Sequence, residues 1–166
     1  MWAEILREFA DSPSQAMVVR YLLENGFGVN ECGRVICNEI EIPATHLARV
    51  IGTDRRVVDA TAQRILSRPD LRRLFLNLRA TPDLSRVAEA LGLAVITILP
   101  RNAEQKGIVG AVVKVMTDHE LVIRQIFVTD PFVSEDPRLV VIINGDVPAV
   151  VYEILRALPQ VRQIII

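Results

Sequence analysis

Cysteine is nearly missing from this 166-residue sequence: Cys32 and Cys37 are too few for a disulfide scaffold. Long apolar runs are missing as well. The longest one late in the chain, Leu139–Ile143, is strand-sized and far short of a bilayer crossing. The opening residues MWAEILREFAD have neither the basic start nor the apolar core of a secretion signal, so the cytoplasm is the expected compartment and no membrane partner is expected. Proline and glycine are modest, at 9 and 8 residues, and hydrophobic content is 51%. That balance excludes a disordered or low-complexity chain and leaves one medium domain or two small ones, each with a modest core.

Signatures of catalysis are scarce too. Gly107 and Gly110 lack the spacing and lysine placement of a phosphate-cradling loop, and none of Ser12, Ser14, Ser67, Ser85 or Ser134 sits in a nucleophile elbow. Asp130, Glu135 and Asp136 read as solvated acids of an inter-strand loop. Cys32-x4-Cys37 with His46 is looser than zinc pairings such as C-x2-C, and His119 falls in the other half of the chain. The expectation is no enzyme, no metal and no cofactor.

What the sequence does have is arginine, in one place. Residues 1–44 carry three arginines against seven acids, a net of −4, while residues 45–79 carry eight arginines against three aspartates, a net of +5. The remaining residues return the total to −1. A local +5 is what a polyanion-binding face needs; a solvated helical surface in an arginine-rich protein is the plainer alternative.

Punctuation divides the chain. Ser12–Asn25 reads as a helix stopped by Gly26 and Gly28, and Val29–Ile42 as short strands with a turn at Gly33. Pro43 opens a helix to Ile51, Gly52 ends it, and Thr53 or Asp54 can cap the next, which runs to about Ser67. Pro69–Leu78 and Thr81–Leu91 read as two more helices, the second with Thr81 as cap, Pro82 at its first position and Gly92 past its end. From Leu93 the order is strand, helix, strand, strand, helix, strand, with Asp146 capping the second helix: a ferredoxin-like β-α-β-β-α-β arrangement.

Ala48, Gly52 and Val58, with Leu47 and Ile51, resemble the helix-turn-helix signature: a small residue at the crossing, a glycine in the turn and an apolar anchor on the second helix. Val57, Val58, Thr61 and Ile65 form the expected inner face. Arg55, Arg56, Asp59, Gln63 and Arg64 lie outside it, where arginine suits guanine edges and Gln63 adenine. Arg49, Arg68, Arg72 and Arg73 suit phosphates.

Residues 93–166 resemble an ACT domain, the small module that binds amino acids, with Gly107, Ile108 and Val109 matching its glycine and following apolar residues. Glu104 stands near the family's aspartate, Lys106 replaces its usual proline, and Asn102 or Gln105 is left to supply polar contacts. EIPATHLARVIGTDRRVV, ALGLAVITI and ELVIRQI together are similar to a family of archaeal regulators of amino acid metabolism, a helix-turn-helix region ahead of an ACT domain. Leucine-responsive regulators join comparable parts, but residues 69–92 are an extra connection. The resemblance implies an α+β chain with a (winged) helix-turn-helix domain over residues 1–80, a connecting helix over 81–92 and an ACT-like domain over 93–166. It implies duplex DNA and an amino-acid effector as partners and a homodimer as the working form. Alternate residues on both faces of VITIL, LVIRQIFV and LVVII are apolar, which one helical layer cannot cover and subunit pairing would. The alternative is an ACT-type module controlling a metabolic enzyme without binding DNA.

Overall fold

The computed structural model describes residues 2–129 and 136–166, so Asp130 and Glu135 lie outside the described residues. It is an α+β protein in two compact units, residues 1–82 and 83–166.

In the first unit, α1 (Trp2–Arg7) and α2 (Pro13–Asn25) precede a small antiparallel sheet of β1 (Gly28–Val29), β2 (Val35–Cys37) and β3 (Ile40–Glu41). Ser12 stands at the start of α2 as expected, but its side chain makes no capping bond; Pro13 supplies the first-turn geometry. Three helices follow: α3 (Ala44–Ile51), α4 (Arg55–Ser67) and α5 (Pro69–Asn77). Their apolar faces meet α2 around Phe9, Val19, Leu22, Leu47, Ile65 and Phe75.

The second unit has β4 (Leu93–Pro100), α6 (Ile108–Asp118), β5 (Ile123–Val128), β6 (Leu139–Asn144), α7 (Ala149–Ala157) and β7 (Val161–Ile165). The sheet runs β5-β6-β4-β7, every neighbour antiparallel. Ile96 opposite Val141 and Ile98 opposite Leu139 point into a core shared with Val112 and Met116 of α6 and Val151 and Leu155 of α7. Asp146 does not cap α7: Pro148 occupies that position, and the extended backbone forced on the residue before a proline delays the helix to Ala149.

The connecting helix expected over residues 81–92 does not form. Among these residues only Glu89–Leu91 make a turn of 3-10 helix, closed by Gly92 as expected. A local turn and a tertiary bond compete with the helix. The carboxylate of Asp83 accepts from the amide and the hydroxyl of Ser85, an Asx turn that takes up the first backbone donors. Leu84 donates its amide to Oε1 of Gln125, 3.1 Å away on β5. Both Ser85 bonds hold the Asp83 carboxyl below its ordinary pKa.

Gln125 lies opposite Ile142, on the sheet face away from the Ile96–Val141 core. Leu84 of this stretch therefore meets that face. Ile142 is fully buried and Leu99 nearly so within a single chain. Val95, Thr97, Phe127 and Val140 on the same face are half-buried, and Ile165, opposite Thr97, is exposed. Within the strands of this sheet, the exposed large apolar side chains are Ile126 and Val128 of β5 and Ile165 of β7, the two edge strands. No described helix is long and apolar enough to cross a membrane.

Candidate nucleic-acid interface

Helices α3 and α4 meet across a three-residue step, Gly52-Thr53-Asp54. Ala48 is buried where they cross, and its carbonyl accepts from the amides of both Gly52 and Thr53 at 2.9 Å, which closes α3. Gly52 reverses the chain at φ 78°, a left-handed value that costs a side-chain-bearing residue about 1–2 kcal/mol. No atom lies within 4 Å of where its Cβ would stand, so the turn needs glycine for its dihedral and not for space. Of the two expected caps, Asp54 acts: its carboxylate accepts from the amide of Arg56 at 2.7 Å. Val58, Thr61 and Ile65 are buried as the sequence suggests, Val57 is half-buried, and Thr61 returns its hydroxyl to the Val57 carbonyl at 2.7 Å.

The arginines of the +5 segment fall into two groups. Arg64 lies in a built niche: it donates to Asp11 at 2.9 and 3.2 Å, to Gln15 at 3.0 Å and to the Glu8 carbonyl, with its guanidinium 4.8 Å above the Phe9 ring. Only 30% of its side chain is exposed. It braces α1 and α2 against α4 and does not belong to the open face that helical periodicity gave it. Arg68 pairs with Glu8, Arg72 with Glu31, and Arg79 with Glu39 at 3.8 Å. All four acids come from the first 44 residues, so the −4 segment folds back onto the +5 segment and neutralises half of its arginines.

The outer face of α4 is partly occupied as well. Asn30 accepts from the amides of Cys32 and Arg34 through Oδ1, setting a turn whose Gly33 abuts Gln63. A Cβ on Gly33 would stand 2.1 Å from the Gln63 amide nitrogen. Asp59 faces Arg34 at 3.7 Å. Gln63 and Asp59 therefore adjoin the 30–34 turn, and Gln63 remains exposed. Arg34 joins the face, a residue that charge counting missed because it sits in the acidic segment; the turn signal at Gly33 was the clue to it.

Arg49 at the end of α3, Arg55 and Arg56 at the start of α4, and Arg73 on α5 are exposed and have no ion pair among the described residues. Three of these four surround a single turn. Arg55 and Arg56 also occupy the first two positions of α4, where the helix dipole disfavours positive charge and no acid is present in the first turn.

In the second unit, the loop expected to hold a ligand is held mainly by itself. Asn102 accepts from the amide of Glu104 at 2.9 Å through its side chain and from Gln105 at 3.2 Å through its carbonyl, so its polar atoms shape the loop. Glu104, Gln105 and Lys106 are exposed, and Gly107 starts α6 in the left-handed region. Ile108 points into the core and Val109 outward. Among the described residues no cluster of three or more His, Cys, Asp or Glu could hold a metal, and both cysteines are free thiols. Comparison with protein-family models, with curated proteins and with solved structures returns no match.

The Arg64 niche makes folding pH-dependent. Hydrogen bonding from Arg64 holds the Asp11 carboxyl below its ordinary value. With the folded pKa depressed, the pair's contribution is complete above the unfolded carboxyl pKa of about 3.9 and fades as pH falls through the lower folded value. Asp11→Asn is expected to lower Tm at neutral pH. The difference from wild type should shrink toward nothing in the most acidic buffers, read by circular dichroism melts across pH.

Proposed function

We propose that this protein is an amino-acid-responsive transcriptional regulator. Its first unit acts as a (winged) helix-turn-helix that binds duplex DNA, and its second as a ferredoxin-like, ACT-type domain that pairs subunits and takes a small effector. The location of the unpaired charge carries the DNA half of this reading. Once Arg64, Arg68, Arg72 and Arg79 have met their acids, Arg49, Arg55 and Arg56 remain at the α3–α4 turn. In helix-turn-helix readers the start of the second helix enters the major groove. Placing two arginines against the helix dipole sacrifices stability, which is understandable if they meet phosphate or guanine there.

Strand order β5-β6-β4-β7 with both helices over one core supports the ferredoxin-like reading of the second unit. The effector's place in that unit is the exposed loop of residues 102–109. Pairing falls to the edge strands, where Ile126 and Val128 of β5 are exposed. Sedimentation of the full chain is expected to give a dimer, with Val128→Lys shifting it toward monomer. A wild-type chain that sediments as a monomer at every concentration rejects the pairing.

Salt dependence tests the DNA reading directly. Each neutralised phosphate contributes about −0.9 to the slope of log affinity against log salt. Three or four free arginines give a slope of about −3 to −4 per chain, whereas all eight would give about −7. No binding to duplex DNA at low salt removes the proposal. Genome-wide footprinting with and without added amino acids then tests the effector.

A second reading is favoured by the same internal neutralisation: residues 1–79 carry −4 and +5, a net of only +1. On that reading the chain is an ACT-type module that controls a metabolic enzyme without touching DNA. Recovery of such an enzyme with the chain, in the absence of any footprint, supports it.

A further inference from the structure

A cleft of about 390 Å³ opens in the first unit between α1 and the corner where α4 passes into α5. Its volume falls within the roughly 300–1,000 Å³ of small-molecule sites. The floor is apolar, made by Ile5, Leu71 and Leu74, and the rim is charged with both signs, by Glu4, Glu8, Arg68 and Asp70. Arg68 spends one guanidinium nitrogen on Glu8. A guanidinium has five donors, and those remaining on Arg68 have no other partner among the described residues. Asp70, two residues further on at the start of α5, has no partner among them either.

A cation and an anion side by side above an apolar floor match one ligand chemistry well: a zwitterion with an apolar body. We propose that this cleft binds a free amino acid with an apolar side chain. Its carboxylate meets Arg68, its ammonium meets Asp70, and its side chain lies on Ile5, Leu71 and Leu74. A simple cation would leave the open donors of Arg68 unanswered, and a simple anion would face Asp70 and Glu4.

The site is distinct from the 102–109 loop and from the arginines at the α3–α4 turn. It is nevertheless linked to α4, because Arg64 of that helix holds the Glu8 carbonyl and the Phe9 ring just beyond α1.

Calorimetric titration of the full chain, without DNA, tests the site. Leucine and phenylalanine are expected to release heat. Leucinamide, which lacks the carboxylate, and 4-methylpentanoate, which lacks the ammonium, are each expected to bind at least about tenfold more weakly, as loss of a charge-assisted contact implies. Leu74→Trp fills the floor and should abolish binding. Asp70→Asn is a surface change that leaves the fold intact and should weaken binding by about tenfold or more. Lys114→Ala, an exposed change on α6 outside both the cleft and the 102–109 loop, should leave it unchanged. Silence from both amino acids overturns the proposal. So does an analogue that binds as tightly as leucine, or heat that Asp70→Asn and Leu74→Trp both retain. The outcome is independent of DNA binding, so failure here and failure of the regulator reading are told apart.

Discussion

Reversing the two arginines that open α4, Arg55→Glu together with Arg56→Glu, is expected to abolish duplex binding while leaving the protein at least as stable as wild type. Each arginine that meets a base edge is worth about 1–3 kcal/mol, so losing two and replacing them with repelling charges lowers affinity by at least about a hundredfold. Stability moves the other way. Acids at the first two positions of a helix gain about 0.3–1 kcal/mol each where arginines lose it. The new neighbours of Asp54 repel one another and temper the gain, but its bond to the amide at position 56 uses the backbone and survives. Gel-shift titration and a thermal melt on the same sample read both effects. An unchanged affinity would mark the pair as ordinary surface charge.

Arg64→Ala, one turn before the other end of α4, is expected to do the reverse. It removes bonds to Asp11, Gln15 and the Glu8 carbonyl and the contact over Phe9. The expected loss is about 2–4 kcal/mol, since partly buried acceptors are left without their donor. The folded fraction should bind DNA within about twofold of wild type, because this guanidinium faces inward. Arg64→Lys should recover little: a single ammonium cannot serve a fork of acceptors spread from Glu8 to Gln15. Urea unfolding measures the first effect and salt-matched binding the second. A variant as stable as wild type would mean that the niche is ornamental.

These two arginine outcomes mark where the sequence stops being readable. Periodicity located α3 and α4 because it reports burial along one helix, and Ala48, Val58 and Ile65 are buried for that reason. It placed Arg64 outside because it does not know what other elements contribute. Glu8, Asp11 and Gln15 approach from more than 45 residues away, and nothing local to Arg64 announces them. The same blindness affected Gln63 and Asp59, which adjoin a turn 25 to 30 positions earlier. The second unit was more legible, since alternation of apolar residues suffices to order four strands and two helices. Its exception, residues 81–92, is instructive. Thr81, Pro82 and Gly92 all favour a helix, yet the Asp83–Ser85 turn and the Leu84–Gln125 bond win, the second being a tertiary contact that propensity cannot contain. The cleft at Arg68 and Asp70 left no sequence signal either, because its walls come from α1 and α5 at once.

The folding of an acidic segment onto a basic one also sets how this protein responds to change at a distance. Glu8, Glu31 and Glu39 pair the charge of Arg68, Arg72 and Arg79, so these guanidinium groups form a charge reserve held back from a polyanion, even where single donors, as on Arg68, stay open. Neutralising one acid releases one arginine and adds about 0.9 to the steepness of the salt response. On the proposed DNA-binding reading, tighter binding is therefore reachable through substitutions in the first 40 residues, away from the α3–α4 turn. An acid gained beside Arg49 or Arg73 would work in the opposite direction, drawing active charge into the reserve.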